Sequence, residues 1–272
     1  MDKQKIEISP EHARFLSGLR RRKGFVIAMR VLLLAVLIAL WEVLAVLGLI
    51  DTFIMSSPSR IINTVEDLFV NGNVIYHSLI TLWETLAGFA LSTVIGTAIA
   101  VILWAIPLLR KILDPYIVVL NSLPKIALGP VIIIWFGAGS KSIIAMAVLI
   151  CVIITILNML AAFQSCEKEK ILLLKSMGAT KLQVLLKLVL PHSLPAFISV
   201  LKINVGMAWV GAIMGEYLVS KAGLGYLIIY GGVVFKLDLV MACTIILCAL
   251  AAGMYFAVVL LEKIVMKRRY NR

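Results

Sequence analysis

Ile143-Ile-Ala-Met-Ala-Val-Leu-Ile-Cys-Val-Ile-Ile-Thr-Ile-Leu-Asn-Met-Leu-Ala-Ala-Phe163 runs for 21 residues without a charged side chain. As an α-helix rising ~1.5 Å per residue it covers about 30 Å, the hydrocarbon thickness of a bilayer. Five more stretches read the same way: 31–50, 79–105, 116–136, 196–217 and 239–261. The stretch 116–136 is interrupted by Pro124, Gly129 and Pro130. The pattern predicts an all-α, polytopic membrane protein with about six transmembrane helices.

Composition agrees. Of the 272 residues, 62% are hydrophobic and 15% charged, and mean hydropathy is +1.07. Soluble domains carry about a quarter charged residues, so lipid is the solvent for most of this chain. The net charge of +12 is spread over the gaps between apolar runs rather than over one face. That distribution fits membrane topology and argues against nucleic acid. Cys151, Cys243 and Cys248 lie in apolar runs and Cys166 at the edge of one. None forms a C-x-x-C pair, so no disulfide framework or zinc site is indicated.

Lys and Arg orient the spans. The N-terminal segment holds Lys3, Lys5, Arg14, Arg20, Arg21, Arg22, Lys23 and Arg30. Arg110 and Lys111 follow the second span, and Lys168, Lys170, Lys175, Lys181 and Lys187 follow the fourth. The tail holds Lys263, Lys267, Arg268, Arg269 and Arg272, while the other gaps hold only Arg60, Lys141, Lys221 and Lys236. The positive-inside rule therefore puts both termini in the cytoplasm. The first apolar run is too long for a signal-peptide core and no A-x-A-like site follows it. The expected organisation is a cytoplasmic segment 1–30, a first helix 31–50, an extracytoplasmic segment 51–78, a permease-like core 79–262 and a cytoplasmic tail 263–272.

The outer gaps differ in kind. After Pro58, the spacing of Ile61, Ile62, Val65, Leu68 and Phe69 predicts a short amphipathic helix on the membrane surface. Residues 137–140 read as a tight turn. The gap 220–238 is too apolar for a solvated loop and too broken for a span, which suggests a segment dipping back against protein. Small residues recur every four positions at Gly88, Ser92, Gly96 and Ala100, at Gly211 and Gly215, and at Ala249, Gly253 and Ala257. This spacing lets helices approach closely.

Catalytic motifs are scarce. Gly137-Ala-Gly-Ser-Lys-Ser142 has Ser140 where a phosphate loop needs Gly before Lys. His12, His77 and His192 fall in separate segments, so the chain is read as no enzyme, with neither metal nor cofactor. Polar residues within the spans are the candidates instead. Lys125, beside Pro124 and near Asn121, makes a broken, polar point in an apolar helix, as translocation pathways do. Equally, Lys125 snorkels or pairs structurally. Read as one straight span, the run puts it about 18 Å deep. Lys202 lies nearer the cytoplasmic side and is expected to snorkel. Glu42, Glu84, Asn158, Asn204 and Glu216 are candidates for interhelical hydrogen bonds.

The polar gap 165–191 decides function. It reads Ser165-Cys-Glu-Lys-Glu-Lys-Ile-Leu-Leu-Leu-Lys-Ser-Met-Gly-Ala-Thr-Lys-Leu-Gln-Val-Leu-Leu-Lys-Leu-Val-Leu-Pro191. Gly178 is a natural helix stop. Thr180 opens a second helix with Gln183 three residues on, a capping box. Pro191 and Pro195 are expected to end it. The product is a helix–Gly–helix elbow whose apolar cluster, Ile171 to Leu174 with Met177, its own short helices cannot bury. Such a cluster suits a protein partner or a rest on lipid headgroups.

Here the sequence resembles a known family. Gly178-x9-Leu188-x-Leu190-Pro191 matches the second half of E-A-A-x3-G-x9-I-x-L-P, the motif of permease subunits of binding-protein-dependent ABC importers. Leu172, Leu173 and Leu174 replace Glu-Ala-Ala, and Leu188 replaces Ile. Leu123-Pro-Lys-Ile-Ala-Leu-Gly-Pro130, Ile134-Trp-Phe-Gly-Ala-Gly139, Ala208-Trp209 before Gly215-Glu216, Gly223-Leu-Gly-Tyr226 and Ser57-Pro58-Ser59 look like the nitrate, sulfonate, taurine and bicarbonate branch. The resemblance implies a type I importer permease in the bacterial plasma membrane. Its ATPase-docking loop would include Leu172, Leu173, Leu174, Gly178, Leu188, Leu190 and Pro191, and its pathway Asn121, Pro124, Lys125, Trp209 and Glu216. Implied partners are two ABC ATPase subunits, an extracytoplasmic solute-binding protein and a second permease copy. The rival is a stand-alone secondary transporter or channel, which would need intramembrane carboxylates or an internal repeat.

Overall fold

The computed structural model describes residues 10–71 and 73–270. Lys3, Lys5 and Arg272 of the charge pattern lie outside the described residues. Every regular element among the described residues is helical. In order these are α1 (Pro10–Val46), α2 (Thr52–Met55), α3 (Pro58–Val70), α4 (Val74–Ala105), α5 (Pro107–Ser122), a 3-10 turn (Lys125–Leu128), α6 (Gly129–Phe136), α7 (Ser140–Gln164), α8 (Lys168–Ser176) and α9 (Lys181–Val184). A π-helical turn (Leu185–Val189), α10 (Leu190–Val219), α11 (Leu224–Val233) and α12 (Leu237–Tyr270) complete the chain. Five helices are long and apolar enough to cross a bilayer, and six spans result if the bent pair α5 and α6 counts as one.

The chain divides between Asn63 and Thr64 into two compact units. In the first, α1 is longer than the 31–50 run. Its apolar part is Gly24–Val46, and the basic residues before it continue the helix because Lys and Arg are good helix formers. Glu42, near its end, accepts hydrogen bonds from the Ser59 backbone N–H at 3.0 Å and the Ser59 hydroxyl at 2.7 Å. This carboxylate caps the Ser59 N–H at the start of α3, where the helix dipole favours negative charge.

In the second unit α7 lies at the centre, packed on α4 and α10. Small residues set the separations. A Cβ on Gly88 would come within 2.5 Å of Ala147, and one on Gly96 within 2.6 Å of Thr155. Contacts thus advance together along α4 and α7, so these helices run parallel. A Cβ on Gly211 would meet Ala147 at 2.5 Å and one on Gly215 would meet Ile143 at 2.9 Å, so α10 runs antiparallel to α7. The third small series makes no such joint: Gly253 faces open space within 4 Å. Mid-bundle, the buried Asn204 amide donates to Thr155 Oγ1 at 2.8 Å and Thr93 Oγ1 at 3.2 Å, tying three helices together. Asn158, by contrast, donates to Ile154 O of its own helix at 2.8 Å. Lys202, part-exposed, pairs with Glu262 of α12 at 2.6 Å.

Two sequence expectations are corrected by the backbone. The third span is not a straight helix. Pro124 lacks an N–H and pushes Leu123 out of helical geometry, to ψ 139°. The chain bends 90° between α5 and the following turn and α6, so a depth counted along one axis does not apply to Lys125. Pro191 and Pro195 do not end the second elbow helix, which runs on into the fifth span. Helix runs without interruption from Lys181 to Val219, because Leu190 N–H bonds Leu185 O five residues back. This wide π turn makes room for the Pro191 ring beside a carbonyl it would otherwise strike. The gap 220–238 forms α11, a ten-residue helix packed on α12, α10 and α4.

Candidate functional site

The elbow is built by local hydrogen bonds. Gly178 takes φ +81°, a conformation that suits glycine. Ala179 N–H then donates to Leu174 O and Gly178 N–H to Lys175 O, both at 3.0 Å. This bond pair is the Schellman stop, which occupies carbonyls that a helix end leaves bare. One residue later the capping box closes: Gln183 N–H donates to Thr180 Oγ1 at 3.3 Å and Thr180 N–H to Gln183 Oε1 at 2.8 Å. Glu167, the residue before α8, pairs with Lys170 at 2.8 Å, and that bond holds the Lys170 ammonium above its usual pKa. Burial pushes the neighbouring Cys166 thiol up.

The elbow's apolar residues fall on two sides. Ile171, Leu174, Ala179, Leu188 and Leu190 pack against a core of Val184, Leu185, Val189, Phe163 and Met159. Leu172, Leu173, Met177, Leu182 and Leu186 face outward, each more than half exposed. Of the motif positions, then, Leu172 and Leu173 form the outer face, while Leu174, Leu188 and Leu190 root the elbow in the bundle. Pro191 is exposed beside the π turn. Leu182 and Leu186 were not singled out from sequence. Their i,i+4 spacing just after the Thr180 helix start was the available signal.

The broken span supplies a second place. α5 buries none of its residues, and Asn121 and Pro124 are exposed. Lys125 Nζ donates to Asn121 O at 3.0 Å. In an unbroken helix that carbonyl would accept the Lys125 N–H; here the side chain supplies the donor to the broken end. Trp209 lies elsewhere, in a core with Met254 and Val258 of α12.

Glu216 belongs to a third cluster, where α4, α7, α10 and α11 converge near the 137–139 turn. Its carboxylate accepts Gly225 N–H at 2.5 Å and fills the space a Gly223 side chain would take, 2.5 Å from a Cβ placed there. Gly223 has φ +115°, so both shape and backbone call for glycine. Gly223 N–H also donates to His77 Nδ1 at 2.9 Å, and Leu224 N–H to Thr81 Oγ1 at 2.8 Å. Three side chains thus satisfy the first N–H groups of α11. Glu84, 1% exposed, stands beside Glu216 at this end of the bundle. Tyr76, Trp83, Glu84, Ser140 and Lys221 line a cleft of about 630 Å³ at this end. The sequence marked both glutamates but not their proximity, which joins residues far apart in the chain.

Known proteins share this architecture. Residues 92–269 match the family described as "Binding-protein-dependent transport system inner membrane component". A probable ABC transporter permease protein of Haemophilus influenzae is 32% identical over 228 residues, covering 84% of this chain and 92% of the relative. A putative aliphatic sulfonates transport permease, SsuC of Bacillus subtilis, is 27% identical over 209 residues, 77% of this chain and 75% of its own. Among solved structures, a chain of the MetNI methionine ABC transporter in an inward-facing conformation superposes with a TM-score of 0.61 at 19% identity, over 71% of this chain and 96% of that one. The match to that chain establishes a shared fold.

Proposed function

Because the chain belongs to the family of inner membrane components of binding-protein-dependent transport systems, a multi-pass permease of the plasma membrane, we propose that it forms the translocation pathway of an ATP-driven importer for a small sulfonate, nitrate or taurine-like solute. The observation that carries this reading is the elbow. It is stiff, because both of its helix ends are capped. It offers an outward apolar face of Leu172, Leu173, Met177, Leu182 and Leu186. An apolar face on a polar, Lys-rich loop suits a protein partner, and the partner is an ABC ATPase subunit. The termini lie in the cytoplasm with the elbow, by the distribution of Lys and Arg.

In this reading a second copy of the chain completes the pathway against the exposed face of α5 and the Asn121–Pro124–Lys125 break. A solute-binding protein delivers substrate at the opposite surface, near the 137–139 turn. ATP-driven closure of the two ATPases moves the two elbows. The π turn Leu185–Val189 carries that motion straight into α10, because no joint interrupts the helix from Lys181 onward.

The test uses Leu173→Asp and Gly178→Pro in the assembled transporter. Leu173 is exposed, so Leu173→Asp should change stability by less than about 0.5 kcal/mol. Proline cannot adopt the Gly178 φ or donate its N–H, so Gly178→Pro should distort the turn alone. Both variants should insert normally and lose uptake at least tenfold while the ATPases still hydrolyse ATP. Normal uptake by both would overturn the docking claim. Buried carboxyls such as Glu84 and Glu216 are what a stand-alone ion-coupled transporter would use. Here Glu216 fastens α11, and uptake without any ATPase would be needed to revive that reading.

A further inference from the structure

A groove lies between α4, α7 and the second half of the broken span, the Lys125–Leu128 turn and α6, apart from the elbow and the buried carboxyls. It holds about 630 Å³. Its lining is apolar apart from one lysine, Lys141. We propose that this groove binds one phospholipid, with a hydrocarbon chain lying along α7 and the headgroup phosphate at Lys141.

The dimensions favour a hydrocarbon chain. On α7 the lining runs Lys141, Ile144, Ala145, Val148, Leu149, Val152, a single stripe at helical spacing. Eleven steps at ~1.5 Å make it about 17 Å long. One leaflet of a ~30 Å hydrocarbon core is about 15 Å deep. A groove of that length, apolar along its whole stripe on α7, matches one extended hydrocarbon chain of a single leaflet.

The polarity gradient sets the chain's direction. Trp135 and Lys141 stand at one end, on either side of the 137–139 turn where two helices leave the bilayer. Leu91, Leu128 and Val152 form the other, wholly apolar end. Trp and Lys at a helix end are interface anchors, so the charged end of the groove meets the headgroup layer. In lipid there is no hydrophobic gain from moving a chain into the groove. Retention must come from close contact along the groove walls and from the attraction of the Lys141 ammonium for the headgroup phosphate. The groove therefore distinguishes lipids by headgroup charge, and an apolar lining of this kind offers nothing to a polar solute in transit.

Native mass spectrometry of the transporter purified in mild detergent tests this, with phosphatidylglycerol and phosphatidylethanolamine as probes. The wild type should keep bound lipid and favour phosphatidylglycerol several-fold. Lys141→Gln should remove that preference, and Ala145→Trp, which fills the groove, should lower retained lipid several-fold at an unchanged melting temperature. A readout that needs no groove-filling variant is quenching of Trp135 by brominated phosphatidylglycerol, read as the difference from Trp135→Phe. It should exceed quenching by brominated phosphatidylethanolamine. Equal retention in wild type and Ala145→Trp, equal quenching by the two lipids, or efficient short thiol cross-linking of Ala145→Cys to a second copy would each overturn the proposal.

Discussion

Lys125 shows how a residue within a span can be read two ways until its bond is seen. A cation in an apolar run must find a partner or reach water. It finds the Asn121 carbonyl, one turn back across a proline break. That bond is worth about 1 kcal/mol in a typical setting, far too little to hold the whole fold. Lys125→Ala should therefore leave insertion and melting temperature nearly unchanged. It should lower uptake, because the break lies on the face assigned to the pathway. Radiolabelled-solute uptake beside a thermal melt decides it: a variant that fails to insert, or one that transports normally, contradicts the assignment. Glu216 teaches the complementary lesson. Its type and position in the span were plain from sequence, but its work is to hold the Gly223–Gly225 backbone. Nothing local to residue 216 signals that task.

At the scale of elements, the elbow was almost fully legible. A Schellman stop and a capping box involve residues within six positions of one another, so Gly178, Thr180 and Gln183 announced them. Which leucines face out was not legible, since all are apolar and closely spaced. That division depends on Phe163 and Met159 of α7 lying beneath α8 and α9. It yields a sharp contrast. Leu182→Asp, on the outer face, should uncouple transport as Leu173→Asp does, with normal yield. Val184→Asp, 1% exposed in the core, would bury an unpaired charge costing on the order of 3–5 kcal/mol and should reduce the amount of folded protein. Yield by fluorescence-detected size-exclusion separates the two, and equal yields would refute the two-sided elbow. The π turn below it was missed because proline rules describe α-helices. A single five-residue bond accommodates Pro191 without breaking the helix.

For the whole molecule, the decisive contacts are between helix backbones. α7 sits between α4 and α10 because Gly88, Gly96, Gly211 and Gly215 leave no side chain in the way. Without a hydrophobic drive between helices in lipid, such close contact is a principal source of association. Gly211→Leu would force a side chain against the Ala147 backbone, 2.5 Å from the Cβ position. Overpacking costs about 1–3 kcal/mol and more where backbone cannot yield. The melting temperature should fall by several degrees or the protein should fail to assemble, whereas Gly206→Leu, facing open space, should be tolerated. Equal melts would refute the central packing.

What the sequence determined by itself follows from interactions that act within a few residues or sum along a run. Hydropathy marked the spans, proline and glycine marked the breaks, and capping residues built the elbow. The tertiary structure alone decided the 90° bend at Pro124, the proximity of Glu84 to Glu216, the outward face of the elbow and the groove beside α7. Each of these depends on what stands across from a residue. In a chain this apolar, almost any side chain can face lipid or protein, so the pattern along one helix does not say which.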